Sequence, residues 1–359
     1  MSARTSGPVR VVGSGLLGTS IGLGLTAAGV DVLLADVSPS ALALAVDYGA
    51  GRAALPGDEP VLVIVAVPPD RVAQVVADEL AANPHALVTD VASVKAAPLE
   101  ALRDAGADLG RYLGSHPMAG RERSGPLAAR ADLFLGRPWV ITPHAATTTA
   151  QVAALEALAL DLGATPVRLE PERHDEAVAL VSHAPQLVAS LVAARLLAAP
   201  APALGLAGQG VRDVTRIAAS DPALWVQILS ANAVQVRPVL AALRDDLDAV
   251  LAALAAPTAP GAPRTIADAL AAGNAGVARI PGKHGTDLTT TALTVLVDDT
   301  PGQLAHLLTE IGELGVNLED LRLEHSPGAP VGIVEVQVAP EAAPALEADL
   351  AARGWRVAG

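Results

Sequence analysis

A histidine in a glycine-rich segment is the residue of this chain best suited to acid–base chemistry. The segment GSHPMAGRERSG spans residues 114–125, and His116 follows the apolar run RYLGS. Because glycine has no Cβ, the segment predicts a loop in which backbone and ligand approach closely. Histidine titrates nearest neutrality, so His116 could accept or donate a proton at working pH. The alternative for an isolated histidine is a purely structural place at the end of a strand.

A second set of residues, near the N-terminus, has the spacing of a dinucleotide site. The strand-like run VRVV precedes GSGLLG, an apolar helix and a second strand that ends in Asp36. Gly13 makes the tight turn, Gly15 lets a pyrophosphate approach the backbone, and Gly18 packs the helix on the strand. Asp36 would accept hydrogen bonds from ribose hydroxyls and repel a 2′-phosphate, which favours NAD over NADP. The predicted cofactor-binding residues are Gly13, Ser14, Gly15, Leu16, Leu17, Gly18 and Asp36.

A doubly wound sheet is the element that would position these residues. Strand-like runs recur between residues 8 and 170, and most are continuously apolar, as strands covered on both faces are. We therefore predict an α/β protein with an N-terminal Rossmann-type domain over residues 8–170. Residues 171–256 have helical spacing and predict an all-helical middle domain, broken at Pro185, at Pro200 to Pro202 and at Asp221-Pro222.

The C-terminal third of the chain has a different pattern. The stretch AAPTAPGAPR is a linker by composition, and we place the linker over residues 257–289. Residues 290–359 alternate strand-like and helical runs in the order of a small α+β module.

Composition excludes several classes of function. The chain has 359 residues, 51% of them hydrophobic and none of them cysteine, which predicts large cores without disulfides or thiolate chemistry. The net charge of −14 disfavours nucleic acids and anionic membranes as partners. The first ten residues lack the apolar core of a signal peptide, so we expect a cytoplasmic protein.

One apolar stretch, residues 184–211, could be mistaken for a membrane span. Arg195 and the prolines at 200 and 202 interrupt it before the roughly 18 apolar residues that a span needs. We expect a buried helix at a subunit interface instead. Because a sheet domain alone cannot cover so much apolar surface, the stretch predicts a homodimer.

The helical segment HDEAVALVSH has a histidine at each end. His174 and His183 are nine residues apart, which in an ideal α-helix puts them on different faces. We therefore predict no metal site.

Five ordered motifs resemble those of the prephenate dehydrogenase family, including its arogenate-using members. The motifs are DVASVK (90–95), GSHPMAGRERSG (114–125), DLFLGRPWVITP (132–143), HDEAVALVSHAPQ (174–186) and RDVTRIAASDP (212–222). The resemblance covers about residues 9–285, and IPGKHG (280–285) is similar to the junction that some members carry before an extra module. DTPGQLA (299–305) and GVNL (315–318) resemble the turns of an ACT domain, a βαββαβ unit that senses amino acids.

The resemblance implies an enzyme of tyrosine biosynthesis that oxidatively decarboxylates prephenate to 4-hydroxyphenylpyruvate with NAD. His116 matches the histidine that hydrogen-bonds the substrate hydroxyl. Ser93 matches a serine that orients this histidine and itself lies near the nicotinamide. Ser93 could also N-cap a helix that begins near Val94. Arg216 matches the arginine that binds a substrate carboxylate, with a helix-surface salt bridge as the alternative. Other substrate-side residues are Arg212, as the second candidate for that role, Ser182, Gln186, Glu122 and Arg121.

Two departures from the family pattern leave the substrate open. Many relatives have a second histidine where this chain has Gln186, and a small hydroxyl residue where it has Arg121. Both positions line the family's pocket near the side chain that differs between prephenate and arogenate. The Gln186 amide can donate or accept a hydrogen bond, so prephenate and arogenate both remain candidate substrates. Arogenate would give tyrosine directly.

Two other functions compete with this one. A related dehydrogenase acting on a β-hydroxy acid or an imine usually has a lysine on a helix of its second domain, and residues 171–263 contain none. A catalytically inactive protein that only senses NAD and amino acids is disfavoured, because His116, Ser93 and Arg216 are all present.

The ACT-like module has a predicted effector, tyrosine. The residues expected to meet it are Asp299, Pro301, Gly302 and Asn317. The alternative is a module that only adds contacts between subunits.

Overall fold

Strands and helices alternate through the N-terminal half of the chain in the computed structural model, which describes residues 3–120, 125–281, 290–325 and 331–358. The strands are β1 (Val9–Val12), β2 (Val32–Ala35), β3 (Arg52–Ala53), β4 (Leu62–Val65), β5 (Leu87–Asp90), β6 (Gly114–Pro117), β7 (Pro138–Thr142) and β8 (Thr165–Arg168). The helices are α1 (Leu16–Ala27), α2 (Pro39–Asp47), α3 (Val72–Ala82), α4 (Ala96–Asp104) and α5 (Thr149–Asp161). The chain divides into two compact units, Met1–Ala199 with Val214–Leu243, and Pro200–Asp213 with Arg244–Gly359.

The first five strands form the parallel sheet that the sequence predicts. Their order is β3-β2-β1-β4-β5, with Val9 of the central β1 opposite Val32 on one side and Leu62 on the other. Chain order reverses direction between β1 and β4, which opens a crevice at the carboxyl ends of these strands. Apolar side chains bury both faces, Ile21 and Leu25 from α1 on one and Val76 from α3 on the other.

A second, three-stranded sheet continues the domain. Its order is β6-β7-β8, with β6 antiparallel and β8 parallel to β7. The expected single sheet over residues 8–170 is therefore two sheets. The prediction of a loop around His116 is wrong, because His116 is the third residue of β6 and pairs with Val140. Pairing with the apolar strand PWVIT outweighs the weak strand propensity of Gly-Ser-His-Pro.

A long helical run follows the second sheet. It consists of α6 (Pro171–Val178), a π-helical turn (Ala179–His183), α7 (Ala184–Arg195) and a 3₁₀ turn (Leu196–Ala198). The predicted break at Pro185 is wrong: Pro185 lies in the first turn of α7, directly after the π turn, where its missing N–H is tolerated. The breaks at Pro200 and at Asp221-Pro222 are confirmed, and Asp221 accepts from Ala223 N–H at 2.9 Å.

Pro171–Ala198 is long and apolar enough to cross a membrane by length and composition. The run nevertheless carries buried polar side chains, among them His174, Asp175 and His183. These side chains are hydrogen-bonded to neighbouring elements of the same unit, so one face of the run is packed inside that unit.

The remaining helices are α8 (Ala201–Leu204), α9 (Gln209–Thr215), α10 (Pro222–Ala231), α11 (Ala233–Ala255) and α12 (Ala262–Val277). A 3₁₀ turn, Arg216–Ala218, follows α9 and packs against α7. Residues 262–277 of the segment that composition assigns to a linker are helical, since alanine-rich sequence favours helix once Pro and Gly have passed.

The C-terminal module is an antiparallel sheet with two helices, in the predicted βαββαβ order. Its elements are β9 (Thr291–Asp298), α13 (Gln303–Glu313), β10 (Asp320–His325), β11 (Val331–Val338), α14 (Ala343–Ala352) and β12 (Arg356–Ala358). The strand order is β10-β11-β9-β12. Val295, Val334, Leu307 and Leu346 form its core. Gly302 precedes α13 with a φ of +91°, a conformation that favours glycine.

Candidate active site

The glycine turn between β1 and α1 has the close packing that its spacing predicts. Gly13 has a φ of +103°, and a Cβ there would lie 2.3 Å from the carbonyl oxygen of Ala66. A Cβ at Gly18 would lie 1.8 Å from the carbonyl oxygen of Gly13. Both positions therefore require glycine, and together they bring the start of α1 against the end of β1.

The start of α1 is open to a ligand. A Cβ at Gly15 would meet nothing within 4 Å, and no side chain caps the helix. The Ser14 hydroxyl is buried and has no hydrogen-bond partner in the described part of the chain. Leu16 and Leu17 begin the helix and are half-buried. Free backbone N–H groups at a helix start bind a phosphate well, so these residues fit a dinucleotide pyrophosphate.

Asp36 follows the last residue of β2 and is half-buried beside this turn. Its carboxylate accepts from the backbone N–H groups of Ser14 at 2.5 Å and Ser38 at 2.7 Å. These bonds hold the side chain against the glycine turn. Four acceptor positions on a carboxylate leave two for the hydroxyls of a ribose.

His116 lies on the same edge of the fold as the glycine turn. The hydroxyl of its neighbour Ser115 donates to the carbonyl of Asp90, the last residue of β5, at 2.9 Å. His116 therefore lies just beyond the carboxyl end of β5, where ligands of parallel α/β sheets bind. Its ring is half-buried.

The partner of the His116 ring is another histidine. Nδ1 of His116 lies 2.9 Å from Nε2 of His174, and the two rings meet edge to face. Ser93, expected to orient His116, is half-buried, and no hydrogen bond from it to His116 is found among the described residues. His174 belongs to α6, 58 residues further along the chain, so local sequence did not indicate the contact.

Asp175 joins this histidine pair to α4. Its Oδ1 lies 2.8 Å from Nδ1 of His174 and accepts from Lys95 N–H at 2.9 Å. Its Oδ2 accepts from Ala96 N–H at 2.9 Å. The alternative role of Ser93, as the N-cap of a helix beginning near Val94, is not observed: α4 begins at Ala96, and Asp175 satisfies its first N–H groups from a distant element.

The π turn brings a second histidine of the same helical run to this cluster. Asn232 donates to the carbonyl of Asp175 at 2.9 Å, and its amide nitrogen lies 3.0 Å from Nδ1 of His183. The expectation that His174 and His183 lie on different helical faces assumed an ideal α-helix; the π turn departs from that geometry, and both side chains are buried. Burial lowers the pKa of His183 to about 4.

A buried lysine lies behind His116. Lys95 pairs with Asp90, and its Nζ donates to the carbonyl of Ser115 at 2.7 Å. The Tyr112 hydroxyl donates to the other Asp90 oxygen at 2.7 Å. Burial lowers the pKa of Lys95 and, with Asp90, raises the pKa of Tyr112. The Lys95–Asp90 pair thus fixes the strand that carries His116.

These surroundings keep His116 neutral. Burial, and then the neighbouring His174, Lys95 and His183, hold the pKa of His116 well below its usual range. A neutral imidazole has one nitrogen lone pair that can accept a proton or a hydrogen bond. The arrangement can therefore do acid–base chemistry beside a bound dinucleotide.

The substrate-side residues from the sequence fall into three groups. Ser182 on the π turn is half-buried, Gln186 on α7 is buried, and Arg216 is exposed on the 3₁₀ turn that packs against α7. Arg212 is exposed on α9 and belongs to the second compact unit. Arg121 and Glu122 lie outside the described residues.

Sequence reasoning missed Asp90, Lys95, His174, Asp175, His183 and Asn232 as members of the cluster. All of these but Asn232 stand in the motifs DVASVK and HDEAVALVSHAPQ, where paired charges beside apolar residues were the available signal. Asn232 lies between α10 and α11 with no local pattern to mark it.

Comparison with known proteins gives consistent matches along the chain. The family model for the prephenate dehydrogenase nucleotide-binding domain matches residues 21–168, and the model for the prephenate dehydrogenase dimerization domain matches residues 170–264. "Probable prephenate dehydrogenase NovF" of Streptomyces niveus is 38% identical over 353 residues, which cover 96% of this chain and 98% of that protein.

Two further relatives are similar over part of the chain. Prephenate dehydrogenase of Bacillus subtilis is 32% identical over 238 residues, or 62% of this chain and 64% of that protein. The crystal structure of prephenate dehydrogenase from A. aeolicus, in complex with hydroxyphenyl propionate and NAD+, matches with a TM-score of 0.65. At 24% identity, over 77% of this chain and 98% of that one, it shows a shared fold.

Proposed function

The chain belongs to the prephenate dehydrogenase family, and we propose that it converts prephenate to 4-hydroxyphenylpyruvate by oxidative decarboxylation with NAD. The observation that carries this proposal is a neutral histidine at the carboxyl edge of a dinucleotide-binding sheet. The protein is an NAD-dependent oxidoreductase of tyrosine biosynthesis.

The residues that would hold NAD are those of the glycine turn and Asp36. The open start of α1 would bind the pyrophosphate, and the unpartnered Ser14 hydroxyl supports the fit. Asp36 would bind the adenosine ribose and disfavour a 2′-phosphate. Bound NAD supplies the acceptor for the hydride that leaves the hydroxyl-bearing ring carbon of the substrate.

His116 would act on the substrate hydroxyl. Since Nδ1 faces His174, Nε2 is the nitrogen left to accept the hydroxyl hydrogen bond. Accepting that proton stabilises the positive charge that develops on the carbon–oxygen unit as the hydride leaves. Ser93, half-buried in the loop after β5, would lie near the nicotinamide.

Arg216 would bind a substrate carboxylate, and Gln186 and Ser182 would line the same pocket. The 3₁₀ turn that carries Arg216 packs against α7, the helix of Gln186, so the two side chains project from neighbouring elements of one unit. Arg212, Arg121 and Glu122 are further substrate-side candidates.

The substrate can be tested directly. NADH formation, followed by its near-ultraviolet absorbance, should be faster with prephenate than with arogenate, and faster with NAD than with NADP. Arogenate is the alternative substrate, because Gln186 can pair with an ammonium as well as a ketone. A higher kcat/KM with arogenate would identify the protein as an arogenate dehydrogenase. If neither compound gave NADH, the remaining function would be that of a catalytically inactive protein that senses NAD and amino acids.

We also propose that the enzyme is a cytoplasmic homodimer. Large apolar side chains are exposed on the helical run after β8, among them Leu180, Val181, Leu191 and Leu197. Surface of this kind on helices is typical of a subunit interface. Fractionation of cells that express the protein would test its location.

The C-terminal module would sense tyrosine. Gly302 precedes α13 with open space around its Cα, and Asn317 lies before β10 at the other end of the helix connection. A carboxylate at the helix start and an amino group at Asn317 would suit an amino acid. Tyrosine should then change KM or kcat by about fivefold or more, and deletion of residues 290–359 should abolish the response and leave catalysis. If calorimetry showed no binding of tyrosine, the remaining role of the module would be to add contacts between subunits.

A further inference from the structure

The proposed base does not act alone, since it is the first of three side chains in a line. His116 contacts His174 at 2.9 Å, and His174 contacts Asp175 at 2.8 Å. His174 has no exposed surface and Asp175 has 3%. Neither residue reaches substrate, so any role they have must act through His116. The inference below rests on the proposed function.

Asp175, at one end of the line His116–His174–Asp175, determines which ring nitrogens donate and which accept hydrogen bonds. Both Asp175 oxygens accept backbone N–H groups, and a carboxylate oxygen faces the His174 ring as an acceptor. Nδ1 of His174 must therefore carry the proton of that bond, and its Nε2 must be the acceptor. It follows that Nδ1 of His116 is protonated and that its Nε2 holds the free lone pair.

The line also ends inside the protein. Beyond Asp175 the contacts run to the backbone N–H groups of Lys95 and Ala96. The carbonyl of Asp175 accepts from the buried Asn232. Along the described contacts, then, a proton that enters at His116 meets no exposed group to which it could pass.

A closed line suits this reaction, in which no net proton is released. The hydroxyl-bearing carbon loses a hydride, and the opposite carbon loses CO₂, whose bonding electrons complete the aromatic ring. The hydroxyl oxygen becomes the phenol oxygen and ends with one proton. A proton that His116 takes from that oxygen must therefore be returned to it.

We propose that His174 and Asp175 are positioning residues that hold His116 with its free lone pair on Nε2 and share the charge of the borrowed proton until the product oxygen takes it back. When Nε2 gains the proton, the Nδ1–H bond of His116 points at the lone pair of His174, and the Asp175 carboxylate faces the resulting charge. Of the other groups near His116 in the described part of the chain, Lys95 is already paired with Asp90, and His183 is neutral because burial lowers its pKa to about 4. Asp175 thus supplies the balancing charge.

The tautomer of His116 in the unmutated protein tests the first half of this proposal without any variant that could unfold. Two-bond proton–nitrogen correlation spectra of the protein labelled with ¹⁵N-histidine distinguish the two ring nitrogens, and loss of one set of signals in His116→Asn identifies that ring. We expect a protonated Nδ1 and a bare Nε2. A proton on Nε2 at neutral pH would overturn the proposal.

Two substitutions at His174 test the second half. His174→Leu removes the acceptor and should lower kcat by about 10²-fold, with KM and the Kd for NADH within about threefold of the unmutated values. His174→Gln keeps an acceptor oxygen and should recover about tenfold of that loss. A merely structural role would not separate the two variants, nor confine the effect to kcat.

The control is His144→Gln, at a half-buried histidine that contacts the carbonyl of Tyr112 and, among the described residues, is not hydrogen-bonded to His116. It should leave kcat within about twofold. A His174→Leu enzyme with near-normal kcat, or equal losses in the Leu and Gln variants, would reject the positioning role. Absence of NADH formation by the unmutated enzyme would instead reject the proposed function, and the tautomer measurement would still stand.

Discussion

At the scale of single residues, the chemistry depends on neutral and charged groups held at fixed distances. His116 is kept neutral by burial and by His174, and the contact with His174 leaves the other ring nitrogen for the proposed hydrogen bond to the substrate. Lys95 and Asp90 neutralise each other behind it, and removal of either one would leave a buried, unpaired charge. The site thus places charged groups next to the proposed base, while the imidazole itself stays neutral.

Replacing His116 with Asn should lower kcat by about 10²-fold or more, because the proton acceptor is lost. The Kd for NADH should stay within about threefold, since the glycine turn and Asp36 are untouched. Steady-state kinetics and fluorescence titration with NADH measure the two effects. His85→Asn, at an exposed histidine in the loop before β5, is the matched control, and near-full turnover of His116→Asn would contradict the assignment.

Replacing Arg216 with Ala should raise the KM for prephenate by about 30-fold or more, with a smaller change in kcat. The reason is the loss of a charge-assisted contact worth about 2–4 kcal/mol. Initial rates over a range of prephenate concentrations measure it. Arg195→Ala, at an exposed arginine in the last turn of α7, is the control. An unchanged KM would transfer the role to Arg212 or to another helix.

At the scale of elements, side chains from one element satisfy hydrogen-bonding groups of elements far away in the sequence. Asp175 of α6 satisfies the first N–H groups of α4, and Asn232 before α11 connects α6 with the π turn. The π turn is what allows one helical run to present both His174 and His183 to this cluster. Such turns occur often at functional sites because they re-aim side chains within a helix.

His183, the last residue of the π turn, should make the free energy of unfolding depend on pH. The pKa of His183 is about 4 in the folded protein, against 6.5 for an ordinary histidine. Between these values the unfolded chain binds a proton that the folded protein does not, so the free energy of unfolding falls as pH drops from 6.5 to 4. The loss should approach about 3 kcal/mol and level off at lower pH.

Urea unfolding at several pH values would measure this dependence. His183→Gln removes the titrating group and should flatten the slope between pH 6.5 and 4 relative to the unmutated protein. Parallel slopes for the two proteins would show that His183 does not contribute.

At the scale of the whole molecule, two compact units share one chain, and the boundary between them does not follow the three regions of the sequence. Residues 171–199 and 214–243 belong to the unit of the nucleotide-binding sheet, because α6 and Asn232 bond to residues near His116 and Lys95. Helices of both units leave apolar side chains exposed, from Leu191 and Leu197 to Leu251 and Leu254. Exposed apolar surface of this kind supports the proposed homodimer.

We expect light scattering to give a mass near twice the chain mass of 36.0 kDa at micromolar concentration. Leu197→Asp, at a leucine 90% exposed after α7, should weaken the dimer because it puts a charge in an apolar interface. Leu127→Asp, at an exposed leucine between β6 and β7, should not. A single-chain mass for the unmutated protein would contradict the dimer.

The sequence by itself determined the features that arise within about thirty residues of one another. Gly13, Gly15, Gly18 and Asp36 are close in the chain, and their roles depend on one strand, one turn and one helix. The alternation of strands and helices along the chain and the βαββαβ order of the C-terminal module were predictable for the same reason, because periodicity and turn residues are local.

Only the tertiary structure decided what surrounds His116. Its strand forms by pairing with β7, its ring meets His174 from 58 residues away, and the cap of α4 comes from Asp175, 80 residues from Lys95. No periodicity within one element encodes such contacts, since they exist only when the chain between the partners has folded. The sequence therefore indicated the proposed base, and the tertiary contacts decided which groups hold it and, in our proposal, share its charge.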